Sequence, residues 1–281
     1  MQLNRSLENP CYVFYPCACW NRNIHFLTKT DGETTETISG CDRYYFTGMI
    51  CSFNGLICCV NYEGCSFCKW VRRSGRQDIR ICNPATREVL LLPQGRKSED
   101  VPKIGVAFGP GINEYKIFWF FFPRCSLKHV CINGIVYWFI KYEKGGLIVG
   151  SILAVDMEEK FSLISIPEEE TLYPFLVNLE DCLCLVAESR LEKNRFDIWA
   201  LQNSKDYVWV KKWSDYMRSF NIKHVNHIAV RKNEILFGSL EHYFFYDMET
   251  RTWRELNWAH GCQDLFSFPM VYTESLLPCK C

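Results

Sequence analysis

The sequence predicts an all-β chain made of repeated hairpin units. Three observations carry that expectation: a scarcity of alanine, Asn-Gly pairs set between apolar runs, and a phrase that recurs along the chain. Only eight alanines occur in 281 residues, while Val, Ile, Phe, Tyr and Trp crowd into short runs bounded by Gly, Asn, Asp and Pro. Branched and aromatic side chains suit a pleated surface and lose χ1 freedom in a helix, so helix is expected to be a minor element. "MICSFNGLICCV" and "HVCINGIVYWF" set Asn54-Gly55 and Asn133-Gly134 between two such runs. A two-residue hairpin turn needs positive φ at both central positions, which Asn and Gly adopt with least strain. The recurring phrase is a strand closing on a small polar residue, a turn, and a second strand. It reads "ICNPATREVLLLP" from Ile81, "LAVDMEEKFSLISIP" from Leu153 and "FFYDMETRTWRELNW" from Phe244.

Taken in order, the region Cys11 to Ile38 offers N-terminal strands, and the hairpin at Asn54-Gly55 opens the first clear unit. "GVAFGPGINEYKIFWFFF" (Gly105 to Phe122) reads as a shortened unit, followed by the Asn133-Gly134 hairpin and further hairpin turns at Glu180-Asp181 and Lys232-Asn233. From Asn133 to Glu180 is 47 positions and from Glu180 to Lys232 is 52, close to the roughly 40 to 50 residues of propeller repeats. The flanking runs are apolar on both faces, as strands covered from both sides are. "YVWVKKW" alternates instead, setting Tyr207, Trp209 and Trp213 on one face and Val208 and Val210 on the other, as an outer, partly wetted strand does. The expectation is an all-β, β-propeller-like chain of about six blades. Residues 1–45 would supply N-terminal strands and 46–281 the propeller itself, with the terminal "FPMVYTESLLP" closing the ring against the N-terminal strands.

Bulk properties exclude some functions. Lys plus Arg and Asp plus Glu each total 32, giving zero formal net charge, so the broad electrostatic attraction of a nucleic-acid binder is missing and no nucleic-acid partner is expected. "GGLIVGSILAV" (Gly145 to Val155) falls well short of the roughly 20 apolar residues that span a bilayer, so no membrane partner is expected. The 17 cysteines are odd in number and the N-terminus has no signal-type apolar core. Reduced thiols packed as small hydrophobes, as in Cys58-Cys59, and a cytoplasmic or nuclear location are the expectation.

The phrases also carry a family resemblance. "SFNGLICC", "ICNPATREVLLLP", "FGPGINEYKIF", "CINGIVYWF", "ILAVDMEEKFSLISIP", "LEDCLCLVAES", "DIWALQN" with "WVKKW", and "EILF" with "FFYDMETRTWREL" follow one another in an order that resembles the F-box associated domain. This is the kelch-like, propeller-type region that follows the F-box in plant F-box proteins, and the resemblance runs from about Phe46 to Leu277. It implies a non-catalytic recognition module that presents a target protein to an SCF-type ubiquitin ligase. Two departures stand out. About ten residues precede the first strand, too few for the multi-helix F-box at ~1.5 Å rise per residue, so a Skp-type adaptor and cullin are expected as partners only if an F-box is supplied. Phe122-Pro123 also leads almost directly to His129, where the family has a further strand pair, which leaves one blade open to being incomplete. The aromatic load makes a small-molecule or glycan-binding propeller the alternative, and an enzyme with a channel-located site a third.

Candidate sites are few. Cys65 and Cys68 have the spacing of half a zinc site that His224 and His227 would have to complete, but compact zinc folds keep their ligand pairs closer, so no metal site is assigned. Cys182 and Cys184, two apart, point to one face of a strand and read as core. No nucleophile elbow, phosphate loop or zincin motif occurs, and neither catalytic nor cofactor-binding residues are assigned. Asp156 and Asp247 occupy equivalent places in two repeats and are expected to make turns, since an aspartate side chain accepts from backbone amides just beyond it. The partner-binding candidate is the loop "KWVRRSGRQDIR", in which Trp70, Arg72, Arg73 and Arg76 group guanidinium forks suited to carboxylates or phosphoryl groups around a tryptophan.

Overall fold

The computed structural model describes residues 10–14, 24–27, 35–38, 48–62, 77–93, 103–109, 114–120, 125–144, 147–167, 171–203, 207–217, 225–239, 242–256, 269–275 and 278–279. Among them every regular element is a strand. These are β1 (Cys11–Phe14), β2 (Ile24–Leu27) and β3 (Thr35–Ile38), then β4 (Gly48–Phe53), β5 (Leu56–Tyr62), β6 (Gln77–Asn83) and β7 (Glu88–Leu91). Next come β8 (Lys103–Phe108) and β9 (Tyr115–Phe120), then β10 (Cys125–Ile132), β11 (Ile135–Lys144), β12 (Leu147–Val155) and β13 (Phe161–Ser165). The rest are β14 (Thr171–Leu179), β15 (Cys182–Ser189), β16 (Arg195–Asn203) and β17 (Val208–Tyr216), then β18 (His227–Arg231), β19 (Glu234–Gly238), β20 (Tyr243–Asp247), β21 (Thr252–Glu255) and β22 (Met270–Tyr272).

The described strands form five four-stranded sheets and one two-stranded sheet. Four of the larger ones are simple meanders of consecutive strands: β4 to β7, β10 to β13, β14 to β17 and β18 to β21. The fifth has the order β22-β1-β2-β3, with β22 antiparallel to β1 through Tyr12 opposite Val271, so the terminal "FPMVY" does complete an N-terminal sheet. The shortened unit around Gly105 to Phe122 is the two-stranded β8–β9. Against an expected count of about six blades, the described residues thus give five four-stranded sheets and one of two strands.

Turn chemistry explains the hairpins. Asn54 and Gly55 take φ of 44° and 75°, and Asn133 and Gly134 take 50° and 78°. Glu180 and Asp181 both adopt positive φ, as does Lys232. All four expected turns join the first and second strands of a meander. Gly55 has a second reason to be glycine, because a Cβ there would lie 2.1 Å from Ser275 Cβ.

The chain divides into two compact units. Unit 1 comprises Met1–Pro102, Leu240–Tyr243 and Glu255–Cys281. Its core packs Cys11, Val13 and Tyr272 against Met49, Ile57, Cys59 and Cys82, joining the faces of its two sheets. The backbone after β22 then runs along the β4–β7 sheet. Asn83 Nδ2 donates to the Ser275 carbonyl at 3.0 Å, and the Cys279 amide donates to Glu88 Oε2 at 3.0 Å.

Unit 2, Lys103–Ser239 and Phe244–Arg254, is stacked sheet on sheet. Val136, Trp138, Ile140 and Val155 meet Ala107, Phe118 and Phe120 of β8–β9. Ile132, Phe139, Ile152 and Ile164 of the β10–β13 sheet meet Leu183, Leu185 and Trp199 of β14–β17. Val186, Phe196 and Ile198 meet Ile235, Phe237 and Tyr246 of β18–β21. The inner strands β11, β15 and β19 are therefore apolar on both faces because both are covered, as the unalternating runs foretold, whereas β13 and β17 keep exposed side chains. Gly105 lets β8 approach closely, since a Cβ there would lie 1.9 Å from Trp138 Cζ2.

One face assignment is corrected. Tyr207 and Trp209 pack toward the β10–β13 side, but Trp213 packs toward β18–β21. The β16–β17 ladder shifts register between Ile198 and Trp199, with Trp213 opposite Ile198 and Lys211 opposite Trp199, leaving Lys212 as the extra residue. A bulge of one residue reverses the parity of everything beyond it. The strand is an outer one, as expected.

Candidate functional site

Antiparallel meanders have two unlike ends. The turns between first and second strands and between third and fourth strands share one end. The loop between second and third strands shares the other with the connection onward. At the first end the turns are tight and capped by acidic or amide side chains. Asp156 Oδ1 accepts from the Glu158 and Lys160 amides at 2.9 Å each, and Asp247 Oδ1 accepts from the Thr250 amide at 2.8 Å. Both aspartates make turns, as read from the repeats. Hydrogen bonds from the Thr250 amide hold the Asp247 carboxyl below its ordinary range. Asn83 fills the same role in the third copy, accepting from Ala85 and Thr86 at 2.9 and 3.2 Å, with Pro84 preset for the turn.

The opposite end carries the connections onward between sheets and loops of varied length, from residues 145–146 between β11 and β12 to residues 63–76 between β5 and β6. Trp70, Arg72, Arg73 and Arg76 belong to the loop between β5 and β6 and lie outside the described residues. The strands beneath are paired up to Tyr62 opposite Gln77, so the ends of the loop are held together. Arg80, at its C-terminal edge, sits in β6 opposite Leu91.

The topologically equivalent loop of the β14–β17 sheet, residues 190–194, is described. Leu191 is exposed at its tip, Tyr173 is exposed on a β14 bulge with φ of 50°, and Tyr216 is exposed at the end of β17. Arg190 donates to the Thr171 carbonyl at 3.0 Å, Arg195 pairs with Glu192, and the Tyr216 hydroxyl donates to Glu192 Oε2 at 2.5 Å. These bonds hold the loop, with Tyr173 and Tyr216 exposed on the strands that flank it.

What braces it is a carboxylate the sequence reading missed. Asp197 is fully buried in β16. Its Oδ1 accepts from Ser214 at 2.6 Å and lies 3.2 Å from Arg195 Nε, and its Oδ2 lies 3.2 Å from Lys211 Nζ. Lys211 also lies over the Trp199 ring, 4.6 Å from its centroid. The signal was a lone acid inside "FDIWAL", since an isolated charge in a buried strand has to be paired.

The remaining candidates are structural in their surroundings. Cys182 and Cys184 do share a face, in the core between β14–β17 and β18–β21. Burial pushes the Cys184 thiol up to about 12 and the Cys59 thiol well above its ordinary value, the reverse of what a reactive thiolate needs. Cys65, Cys68 and His224 lie outside the described residues. His227 is buried, and desolvation followed by the charge of Lys128 pushes it down to about 2. Burial likewise pushes His129 down to about 4 and Lys128 down to about 7. His129 Nε2 accepts from the Val106 amide at 3.2 Å, tying β10 to β8. Among the described residues no group of three or more His, Cys, Asp or Glu side chains is gathered as a metal set.

Stacked four-stranded meanders with capped turns at one end and loops at the other define a β-propeller class of protein. The model of the F-box associated beta propeller domain matches residues 120–273, more than half of the 281. The chain belongs to that family. Two Arabidopsis thaliana proteins that bear the name F-box protein are similar to it. One is 21% identical over 266 residues, covering 79% of this chain and 71% of that protein. The other is 25% identical over 286 residues, covering 88% and 69%. Among solved structures, apo AztD from Citrobacter koseri is similar with a TM-score of 0.45 at 9% identity, over 95% of this chain and 99% of that one.

Proposed function

We propose that the chain is the target-recognition module of an SCF-type ubiquitin ligase and performs no chemistry itself. Its partners would be a target protein on the loop end of the sheets and, when an F-box is joined to it, a Skp-type adaptor and cullin. The observation that carries the reading is the match to the F-box associated beta propeller over more than half of the chain. A propeller positions loops on rigid strands, and ubiquitin transfer then needs only proximity supplied by the other subunits. Affinity capture with and without an F-box fused at the N-terminus tests it. Adaptor and cullin are expected only with the fusion, and the same target is expected in both captures. A target seen with neither, or adaptor recruited equally without the F-box, refutes it.

Within that reading, Trp70, Arg72, Arg73 and Arg76 contribute to target binding and not to the fold. Replacing the three arginines by alanine leaves stability within about 0.5 kcal/mol, as exposed substitutions usually do. It weakens capture of an acidic or phosphorylated target in a salt-sensitive way. Unchanged capture, or a variant that fails to fold, sinks the assignment.

A further inference from the structure

Among the described residues, the two-stranded β8–β9 sheet covers only part of the face that its neighbour turns toward it. On β12 and β13, Val155 stands opposite Phe161 and Leu153 opposite Leu163, so all four share the face turned toward β8–β9. Val155 is fully buried beneath that hairpin and Leu153 is half-buried, but Phe161 is 61% and Leu163 64% exposed. The other face of β13 supplies the internal control. There the neighbour has four strands, Ile164 is only 2% exposed, and Trp209 of β17 donates its indole N–H to the Ser165 carbonyl at 2.7 Å. A four-stranded neighbour buries β13 and a two-stranded one does not.

A strand edge borders the same notch. Among the described strands β9 pairs with β8 alone, so its far edge is where a third strand of a meander would add. The apolar packing runs on without a break from the settled interface between the two sheets. The Phe120 and Trp138 rings lie 4.6 Å apart between centroids, and Phe120 continues to Phe161 at 6.0 Å. The charge is balanced, since Lys116 of β9 is paired with Glu159 at 3.0 Å. An occupant that extends this interface presents uncharged apolar side chains toward Phe161 and Leu163.

We propose that this notch is a docking site for an extended segment of a partner protein, which adds to β9 as a strand and covers Phe161 and Leu163 with alternate apolar side chains. Main-chain hydrogen bonds to an open edge supply affinity, and the alternate side chains supply selectivity. The proposal deepens the recognition reading and rests on it, because the segment belongs to the bound target.

The test uses the full chain and phage-displayed random peptides of about ten residues, the upper range of strand length. Selected peptides are then synthesised with free and with N-methylated alternate amides. Expected are peptides with apolar residues at every second position and protection of the β9 amides from hydrogen exchange on binding. Affinity should fall at least about tenfold, one factor of ten per ~1.4 kcal/mol, with N-methylation or in the Phe161→Asp, Leu163→Asp double variant. Both positions are largely exposed, so the variant retains its fold, which circular dichroism checks. Peptides that bind regardless of N-methylation, or equally to the double variant, overturn the notch. So does a selection that yields no peptide, or a chain that dimerises through these residues and is made monomeric by the double variant. Failure here with target capture intact leaves the recognition reading standing, whereas loss of both removes the two together.

Discussion

Replacing Asn83 by alanine separates a buried turn cap from its exposed equivalents. The three repeats offer the same turn in two environments. Asp156 Oδ1 accepts two backbone amides at an exposed turn, and Asp247 accepts the Thr250 amide at another. Asn83 accepts two amides, donates a third bond to the Ser275 carbonyl 192 positions away, and is 0% exposed. At the exposed turns water replaces the lost cap, so Asp156→Ala should cost about 1 kcal/mol, the net worth of an ordinary hydrogen bond. At Asn83 two part-buried amides and the buried Ser275 carbonyl lose this hydrogen bond, at ~1 to 3 kcal/mol for each group left unsatisfied. A total of about 3 to 4 kcal/mol follows once partial relaxation is allowed. Asn83→Asp keeps the acceptor but sets a carboxylate oxygen against the Ser275 carbonyl, so it should be no better than alanine. Urea unfolding measures the difference through the midpoint at unchanged slope, and hydrogen exchange at Ala85 and Thr86 localises it to unit 1. If Asn83→Ala costs no more than Asp156→Ala, the long-range amide bond is not what holds the segment after β22, and the reasoning fails.

Three further outcomes are expected. Asp197→Ala, which strips a fully buried carboxylate from Arg195, Lys211 and Ser214, should destabilise unit 2 by roughly 3 to 5 kcal/mol, as breaking a buried pair does; a loss under about 1 kcal/mol by urea titration contradicts it. Gly105→Ala drives a methyl into the Trp138 ring and should cost about 1 to 3 kcal/mol by overpacking, and a neutral result means β8 can retreat. Stability should also rise with pH in two windows, because His129, His227 and Lys128 have folded-state values below their ordinary ones and the unfolded chain binds more protons there. The first window runs from about 2 for His227 and about 4 for His129 up to 6.5, the second from about 7 up to 10.5 for Lys128. The depressed carboxyl of Asp247 adds to the acid loss in the same direction. A His129→Asn, His227→Asn double variant should flatten the acid limb of the urea midpoint against pH, and an unchanged slope refutes the assignment.

Local chemistry explains what was legible in the sequence. Asn54-Gly55 and Asn133-Gly134 dictate their own backbone, and apolar runs without alternation announce sheets covered on both faces. The aspartates at 156 and 247 marked their turns because a cap acts within four residues. Trp213 was misplaced because a bulge at Lys212 leaves no mark in an alternating string, although it reverses every side chain beyond it. Asn83 does not stand out in the sequence, since nothing in "NPATR" shows that its side chain meets Ser275. Asp197 carried a signal, an acid within an apolar strand, but its partners Arg195, Lys211 and Ser214 become neighbours only once β16 and β17 pair. The exposure of Phe161 and Leu163 leaves no mark in "FSLIS", because it depends on a neighbouring sheet that has two strands among the described residues.

The sheet β22-β1-β2-β3 sets a clock on biosynthesis. Phe14 ends β1 and Met270 begins β22, 256 positions later, so at ~5 to 20 residues per second the first sheet waits about 13 to 50 s on the ribosome for its fourth strand. Throughout that interval β1 presents an open edge, and Tyr12, Val13 and Phe14, fully buried in the finished protein, lack part of their cover. Unpaired strand edges and exposed apolar side chains of this kind make a folding chain prone to aggregate. A chain that stops ahead of Met270 keeps that edge of β1 without its β22 partner for good.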